Sequence, residues 1–240
     1  MRQSLAFIQS APFSPKALLS WLFPLASVKN PELFNTDISM SNGYFGLLGL
    51  TGLILFILKC RTRKDFIVFG VALFFLLVAF GDATPLRAWL YYGLPLFDRF
   101  RIPSLFRLFA LLLFIICSGI GWATVIKNQQ SKKLINIVFI IIGVMLIAGV
   151  IISFSSLSGA DVIPNPLAWN AYIHSIDFDD SIFIQGIWQL LFLLIVAILF
   201  NRSKNFISIV PWLVAVDMCV AMLINNPITV VNDEIFTSIK

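Results

Sequence analysis

The chain has 240 residues, of which 59% are hydrophobic and only 12% are charged, and its mean hydropathy is +0.94. Soluble domains carry about a quarter charged residues, so this composition excludes an ordinary soluble protein and indicates a polytopic membrane protein. The formal net charge of +5 comes from basic loops between apolar segments. It therefore does not indicate nucleic-acid binding.

Residues 1–42 predict an outer, interfacial segment. It contains four prolines, Pro12, Pro15, Pro24 and Pro31. Between them, residues 17–26 are apolar but too few to span a bilayer. They predict a helix that lies in the interface or re-enters between bundle helices. At the end of the segment, Ser41 or Asn42 can cap the helix that follows.

Residues 43–224 predict a bundle of spanning helices. A helix needs about 20 largely apolar residues to cross a hydrocarbon core about 30 Å thick. Six stretches qualify: residues 43–58, 66–80, 105–126, 134–154, 182–200 and 206–224. The predicted fold is an all-α, polytopic transmembrane helix bundle with short interfacial helices in its outer loops. Residues 225–240 predict an outer C-terminal segment, which we expect to be truncated.

Short basic loops set the predicted orientation. They follow the first, third and fifth spans and contain Lys59, Arg61, Arg63 and Lys64, then Lys127, Lys132 and Lys133, then Arg202 and Lys204. The positive-inside rule assigns all three loops to the cytoplasm. The loops then alternate between the inner and the outer side of the membrane, as expected of a multi-pass protein. Both ends of the chain face outward.

The outward N-terminus predicts that something upstream delivers the chain to the membrane. Residues 4–13 are too short an apolar run for a signal peptide and lack a small-residue cleavage site. We therefore expect the chain to be the interior of a longer membrane protein. The alternative is a short protein that inserts through its first hairpin.

The second outer loop, residues 81–107, is dense in arginine, proline and aromatic residues. Residues 87–94 predict a short amphipathic helix at the headgroup level. Pro103 fits the first position of the third spanning helix, where its missing N–H costs nothing. Arg107 then lies about one turn inside that helix, where a cation opposes the helix dipole and needs an anionic partner.

Four arginines of this loop are the candidate substrate-binding residues: Arg87, Arg99, Arg101 and Arg107. Arginine suits bidentate phosphate contacts, so one hypothesis is that the last three bind a phosphate or diphosphate of a lipid-linked substrate. The alternative is that they snorkel to ordinary lipid phosphates or pair with Asp98 and Asp82.

Asp217 is the only acid inside a predicted span. An intramembrane carboxyl group is a functional candidate, because leaving it unpaired in hydrocarbon is costly. The alternative is a structural role, in which Asp217 pairs with Arg107 or forms a hydrogen bond to a neighbouring helix.

The sequence offers little support for a metal or cofactor. Asp177, Asp179 and Asp180, beside His174, fit either a divalent cation or a solvated loop. The three cysteines, Cys60, Cys117 and Cys219, are too scattered to indicate a disulfide or a metal site. We therefore predict no metal site and no cofactor.

Two motifs carry a resemblance to a known family. The chain reads SMSNGYFGLLGL at residues 39–50 and, two spans later, GDATPLRAWLYYGLP at 81–95 and FRIPSLFRLF at 100–109. In these motifs it resembles the bacterial YfhO family of large polytopic membrane proteins, which is similar to the lipid-dependent glycosyltransferases of the GT-C class. The matching positions are Tyr44, Gly46, Leu47, Gly81, Thr84, Pro85, Leu94, Pro95, Phe100, Arg101, Pro103 and Ser104. The resemblance covers residues 12–122 well and the remainder only by hydropathy.

The resemblance implies a protein of the bacterial cytoplasmic membrane that works on the outer face. It would transfer a sugar from a polyprenyl-phosphate donor to a cell-envelope glycopolymer such as teichoic acid. In the GT-C class the catalytic acid lies in the first outer loop, in a region that we expect to precede Met1. No catalytic residue of this chain is therefore assigned.

Two other function classes stay open. A lipid-linked-sugar flippase or transporter needs polar residues along a path at the bilayer midplane, and the predicted spans offer only Asp217, Gln185 and Gln189. A non-catalytic membrane scaffold would bind no lipid-linked sugar.

Overall fold

The computed structural model describes residues 3–29, 31–34, 36, 38–59, 62–127, 132–156, 177–203 and 206–229. All regular structure in these residues is helical, which confirms the all-α class. Several predicted features lie outside the described residues, namely His174, Cys60, Arg61, Lys204 and residues 230–240 of the C-terminal segment.

Eleven α-helices follow one another in the described part of the chain. They are α1 (Leu5–Ile8), α2 (Ala26–Lys29), α3 (Pro31–Phe34), α4 (Ile38–Ser41), α5 (Leu47–Lys59), α6 (Arg63–Ala79), α7 (Leu86–Gly93), α8 (Phe106–Lys127), α9 (Lys132–Phe154), α10 (Phe178–Arg202) and α11 (Phe206–Thr229). Four 3₁₀ helices supplement them: Pro15–Trp21, Gly81–Ala83, Phe97–Arg99 and Pro103–Leu105. Outside the long helices, the described chain therefore consists of short α-helices, 3₁₀ helices and turns.

Within the described residues, three helices are long and apolar enough to cross a membrane: α8 with the 3₁₀ turn before it, α9 and α10. The other apolar helices are shorter. With 13 residues, α5 rises about 20 Å, which is less than the roughly 30 Å hydrocarbon core. The six-span prediction is met for three helices by length and composition, and it stays a prediction for the others.

The long helices pack in two layers that share α5. Helix α8 lies along both α5 and α6, and α9 lies along α10. Helix α5 also contacts α9, while α11 contacts α5 and α10. Buried leucine, isoleucine, valine and phenylalanine side chains fill the space between these helices. The packing brings the N-terminal end of α5 close to the middle of α10 and α11.

Helices α5 and α8 approach each other backbone to backbone where they cross. A Cβ atom added to Gly121 of α8 would lie 2.2 Å from the carbonyl oxygen of Gly52 in α5. Trp122 donates from Nε1 to the Leu48 carbonyl at 3.0 Å across the same crossing. Small residues allow apolar helices to approach backbone to backbone, where van der Waals contact replaces the weak hydrophobic drive inside a bilayer.

The segment before α5 enters the bundle. Phe23 is 3% exposed, and a Cβ added to Gly149 of α9 would lie 2.5 Å from its ring. The same ring faces Gly186 of α10. Leu25 and Ala26 are fully buried. Of the two placements predicted for residues 17–26, this burial matches entry between the bundle helices.

Candidate functional site

The arginine loop, residues 81–107, is folded into a short helix and turns. Helix α7 ends at Gly93, Leu96 adopts a left-handed backbone with φ 64°, and two 3₁₀ turns lead into α8. Pro103 is the first residue of the second turn, as its ring geometry predicts. Phe97 is buried and stacks on Phe106 with ring centroids 6.3 Å apart. These contacts give the loop a defined path.

Arg87 connects the arginine loop to the N-terminal segment, residues 3–13, by hydrogen bonds. Its side chain is fully buried. The Nε atom donates to the Ile8 carbonyl at 2.8 Å, and one terminal nitrogen donates to the Phe100 carbonyl. The guanidinium also faces the rings of Phe97 and Phe106 at 5.5 and 5.7 Å. Burial lowers the pKa of Arg87 to about 10, so the group stays charged at neutral pH.

Further contacts hold the N-terminal segment against the same loop. The Tyr91 hydroxyl donates to the backbone carbonyl of Gln3 at 2.7 Å, and the backbone amide of Gln3 donates to the Asp98 carboxylate at 3.3 Å. The guanidinium of Arg101 lies 4.6 Å from the centre of the Phe7 ring. The N-terminal segment and the arginine loop therefore form one surface.

We expect Arg87→Met to loosen this surface. Methionine keeps the unbranched apolar stem of the side chain but removes the bonds to Ile8 and Phe100, and a hydrogen bond from a charged group contributes about 1.5–3 kcal/mol. Amide hydrogen exchange at residues 5–10 should accelerate at least about tenfold, because local opening becomes easier. Arg99→Met, at an exposed position, is the matched control. Equal exchange rates in wild type and Arg87→Met would contradict this role.

The structure divides the four candidate arginines into two pairs. Arg99 and Arg101 are exposed on the loop. Arg107, like Arg87, is buried; it donates to the Met40 carbonyl and lies 5.3 Å from the centre of the Phe13 ring. A carbonyl oxygen and an aromatic face thus take the place that the sequence predicted for an anionic partner of Arg107. None of the carboxylates in the described residues pairs with it.

An apolar surface adjoins the exposed pair. Four side chains at the start of α8 and in the turn before it are about half exposed: Leu105, Leu108, Phe109 and Leu112. Trp89, Tyr92 and Phe100 are 67%, 70% and 56% exposed on the loop side. Two cations, several aromatic rings and an exposed apolar helix face therefore meet at the start of α8. This arrangement suits a ligand with an anionic head and an apolar tail.

A second polar cluster lies inside the bundle, around Asp217. Its carboxyl group is fully buried. One oxygen accepts from the Tyr44 hydroxyl at 2.7 Å, and the other accepts from the Leu47 amide at 2.7 Å. Gln189 donates to the Tyr44 hydroxyl at 2.8 Å. The network connects α10, α11 and the first residue of α5.

The turn before α5 explains why Asp217, and not a local side chain, meets that amide. The Asn42 side chain accepts from the Tyr44 backbone amide at 2.8 Å. Because α5 begins only at Leu47, the predicted cap by Ser41 or Asn42 is wrong. Gly46 has φ +90°, a backbone conformation that side-chain-bearing residues rarely adopt. A Cβ at Gly46 would lie 3.4 Å from the Asp217 carboxyl. The turn and the carboxyl group therefore fit closely.

Sequence reasoning missed this network although it singled out most of its members. Gln185 and Gln189 are four residues apart and so share one face of α10. Both are fully buried, and neither polar atom of Gln185 has a partner among the residues that the structure describes. Two amides on one face of an apolar helix were the available signal. The partner Tyr44 lies 145 residues earlier, and no sequence spacing connects the two.

The acidic run at the start of α10 has a capping role in the structure. The Asp180 carboxylate accepts from the Asp177 amide at 3.1 Å at the helix N-terminus. Burial lowers the pKa of Lys29, and the negative charges of Asp177 and Asp180 oppose that shift. Among the residues that the structure describes, no group of three or more His, Cys, Asp and Glu side chains could hold a metal ion.

Comparison with known proteins gives no relative. No family model matches the chain, and neither a curated protein nor a solved structure matches it. The resemblance to the YfhO family therefore stays a prediction that depends on the motifs at residues 39–50 and 81–109. The geometry of the arginine loop is therefore the structural feature from which a function can be proposed.

Proposed function

We propose that this chain is the membrane part of an envelope glycosyltransferase of the YfhO-like type. In this proposal it binds the phosphate of a polyprenyl-phosphate sugar donor at the outer interface. The proposal depends on one observation: Arg99 and Arg101 are exposed beside the exposed apolar side chains at the start of α8. A phosphate bound at these guanidinium groups would place an apolar tail near the exposed side chains of Leu108, Phe109 and Leu112.

The chemistry of sugar transfer agrees with such a site. The leaving group is a lipid phosphate, and its negative charge grows as the glycosidic bond breaks. Guanidinium groups that already bind that phosphate stabilise the developing charge. Exposed rings of Trp89 and Tyr92 offer faces for the sugar. The proposal assigns donor binding to this chain, and it leaves the catalytic acid unassigned.

Buried Arg87 and Arg107 have a different role in this proposal. Each guanidinium donates to a backbone carbonyl of a neighbouring segment. They are positioning residues, which hold residues 3–13 and 40 against the loop that presents Arg99 and Arg101. Loss of either would displace the exposed pair without removing a ligand contact.

The proposal includes an orientation. The arginine loop faces outward, and basic residues near the opposite helix ends, such as Arg63, Lys133 and Arg202, face the cytoplasm. Localisation in a bacterial cytoplasmic membrane and a cell-envelope glycopolymer as acceptor belong to the same proposal. They are supported by the basic loops and by the motif resemblance.

Binding of a polyprenyl phosphate to the full chain in detergent tests the proposal. We expect the combined Arg99→Ala and Arg101→Ala variant to bind at least about tenfold more weakly, because each lost charge-assisted hydrogen bond is worth about 1.5–3 kcal/mol. The matched control is Arg63→Ala, an exposed arginine at the start of α6. It should bind like wild type.

Two comparisons separate donor binding from ordinary snorkelling. Polyprenol, which has the same tail without the phosphate, should bind much more weakly than polyprenyl phosphate. Phosphatidylglycerol should not displace the polyprenyl phosphate at equal concentration. Wild-type affinity in the double variant, or equal competition by phosphatidylglycerol, would leave only contacts with ordinary lipid phosphates.

A flippase or transporter is the second candidate, and one observation favours it. The buried amides of Gln185 and Gln189 and the carboxyl of Asp217 lie within the bundle, as a polar path through a membrane requires. However, Tyr44, Asp217 and Gln189 are hydrogen-bonded to one another, and Asp217 also holds the first amide of α5. These bonds to the start of a helix favour a structural role, and so the glycosyltransferase proposal takes precedence.

A further inference from the structure

A groove runs between α9 and α10 on the outside of the bundle. Its volume is about 450 Å³, within the range of about 300–1,000 Å³ typical of small-molecule sites. Ile140 and Leu194 line it and are 64% and 57% exposed. Because α9 and α10 are long and apolar enough to cross a membrane, this groove faces lipid.

The groove is polar at one end only. Asn136 and Asn201 lie there and exchange two hydrogen bonds of 3.3 Å. Asn201 also donates to the Ala197 carbonyl at 2.8 Å, so both of its amide hydrogens are used. Asn136 has a second amide hydrogen that no described residue accepts. The polar end therefore has one donor that remains for a ligand.

Basic side chains lie at the helix ends that carry the two asparagines. Lys132 and Lys133 precede Asn136 by four and three residues and so lie on the first turn of α9. Arg202 follows Asn201 at the end of α10. All three are exposed, and the structure places no carboxylate of the described residues in the groove lining. The polar end of the groove therefore lies at the basic ends of both helices.

We propose that this groove binds one anionic phospholipid. One acyl chain lies along the apolar lining, and the headgroup phosphate meets Lys132, Lys133 and Arg202. Basic residues between membrane helices attract anionic headgroups, and the free amide hydrogen of Asn136 can donate to an ester oxygen of the glycerol. The site is separate from the arginine loop, because α8 begins at that loop and ends just before α9.

Native mass spectrometry of the full chain in detergent tests this proposal. The probes are phosphatidylglycerol and phosphatidylcholine with the same acyl chains. We expect wild type to retain phosphatidylglycerol preferentially. Removing all three cations, as Lys132→Ala, Lys133→Ala and Arg202→Ala, should weaken phosphatidylglycerol binding by about fivefold per residue and leave phosphatidylcholine unchanged. Ala197→Phe should fill the groove and weaken both lipids.

Two matched controls make the outcome specific. Arg63→Ala with Lys64→Ala removes exposed cations that do not adjoin the groove, and Val144→Phe adds bulk at a 60% exposed position of α9 outside it. Both should bind like wild type. Equal retention of the two lipids by wild type would overturn the proposal, as would losses in the controls that match those in the groove variants. If Ala197→Phe fails to fold, the lipid preference of the Lys132→Ala, Lys133→Ala and Arg202→Ala variant alone decides between the outcomes.

Discussion

Replacing Gly121 by alanine is expected to lower the free energy of unfolding by about 1–3 kcal/mol, the usual cost of overpacking. The added methyl group would lie 2.2 Å from the Gly52 carbonyl oxygen and 2.7 Å from the Phe56 amide nitrogen. Both are backbone atoms, so no side chain can turn away to make room. Helices α5 and α8 would have to separate, with loss of the Trp122 bond to the Leu48 carbonyl.

Gly119 provides the matched control for this prediction. It lies on the same helix two residues earlier, and nothing is within 4 Å of a Cβ built there. Gly119→Ala should leave stability unchanged or raise it by up to about 1 kcal/mol, since alanine is the better helix former. Unfolding of both variants by a denaturing detergent, followed by tryptophan fluorescence, measures the difference. Equal stabilities would show that the α5–α8 crossing can relax at no cost.

Removing the carboxyl group of Asp217 is expected to have the largest effect among single polar substitutions. Asp217→Ala leaves the Tyr44 hydroxyl and the Leu47 amide without their acceptor. A buried donor without a partner costs about 1–3 kcal/mol, so we expect a loss of about 2–5 kcal/mol. Asp217→Asn should cost less, because its amide keeps one acceptor oxygen.

A double-mutant cycle separates the network from a general loss of packing. Tyr44→Phe alone should cost about 1–3 kcal/mol, because Gln189 and Asp217 both lose a partner. The same change should cost clearly less in the Asp217→Ala background, since interacting residues are not additive. Tyr92→Phe, at a 70% exposed position, is the control and should stay within about 0.5 kcal/mol of wild type. Full additivity of Tyr44→Phe and Asp217→Ala would contradict a shared network.

Features that depend on local chemistry were predictable. Residues 87–94 predicted a short helix, and α7 spans Leu86–Gly93; Pro103 predicted a helix start and opens the turn before α8. Both depend on proline geometry and on a few neighbouring residues. The apolar stretches 105–126, 134–154 and 182–200 likewise lie in the three described helices that are able to cross a membrane, because backbone hydrogen bonds inside a bilayer must be satisfied within the helix.

Features that depend on which helices meet were not predictable from the sequence. The sequence grouped Arg99, Arg101 and Arg107 as phosphate ligands, yet Arg107 is buried with Arg87 while Arg99 and Arg101 are exposed. What separates them is contact with the N-terminal part of the chain, which supplies the carbonyls of Ile8 and Met40 as acceptors. A charge pattern contains no information about a partner so far away in the chain.

By itself, the sequence determined the all-α class, three helices apolar and long enough to cross a membrane, and the positions of the short helix α7 and the proline turn. Composition and local backbone chemistry are sufficient for these. Only the tertiary structure decided that α5 and α8 touch at Gly52 and Gly121, that Asp217 holds the start of α5, and that two of the four arginines stay available to a ligand. The physical reason is that these helices are apolar on nearly every side. Their contact faces are therefore selected by shape, small residues and a few buried polar groups that distant parts of the chain bring together.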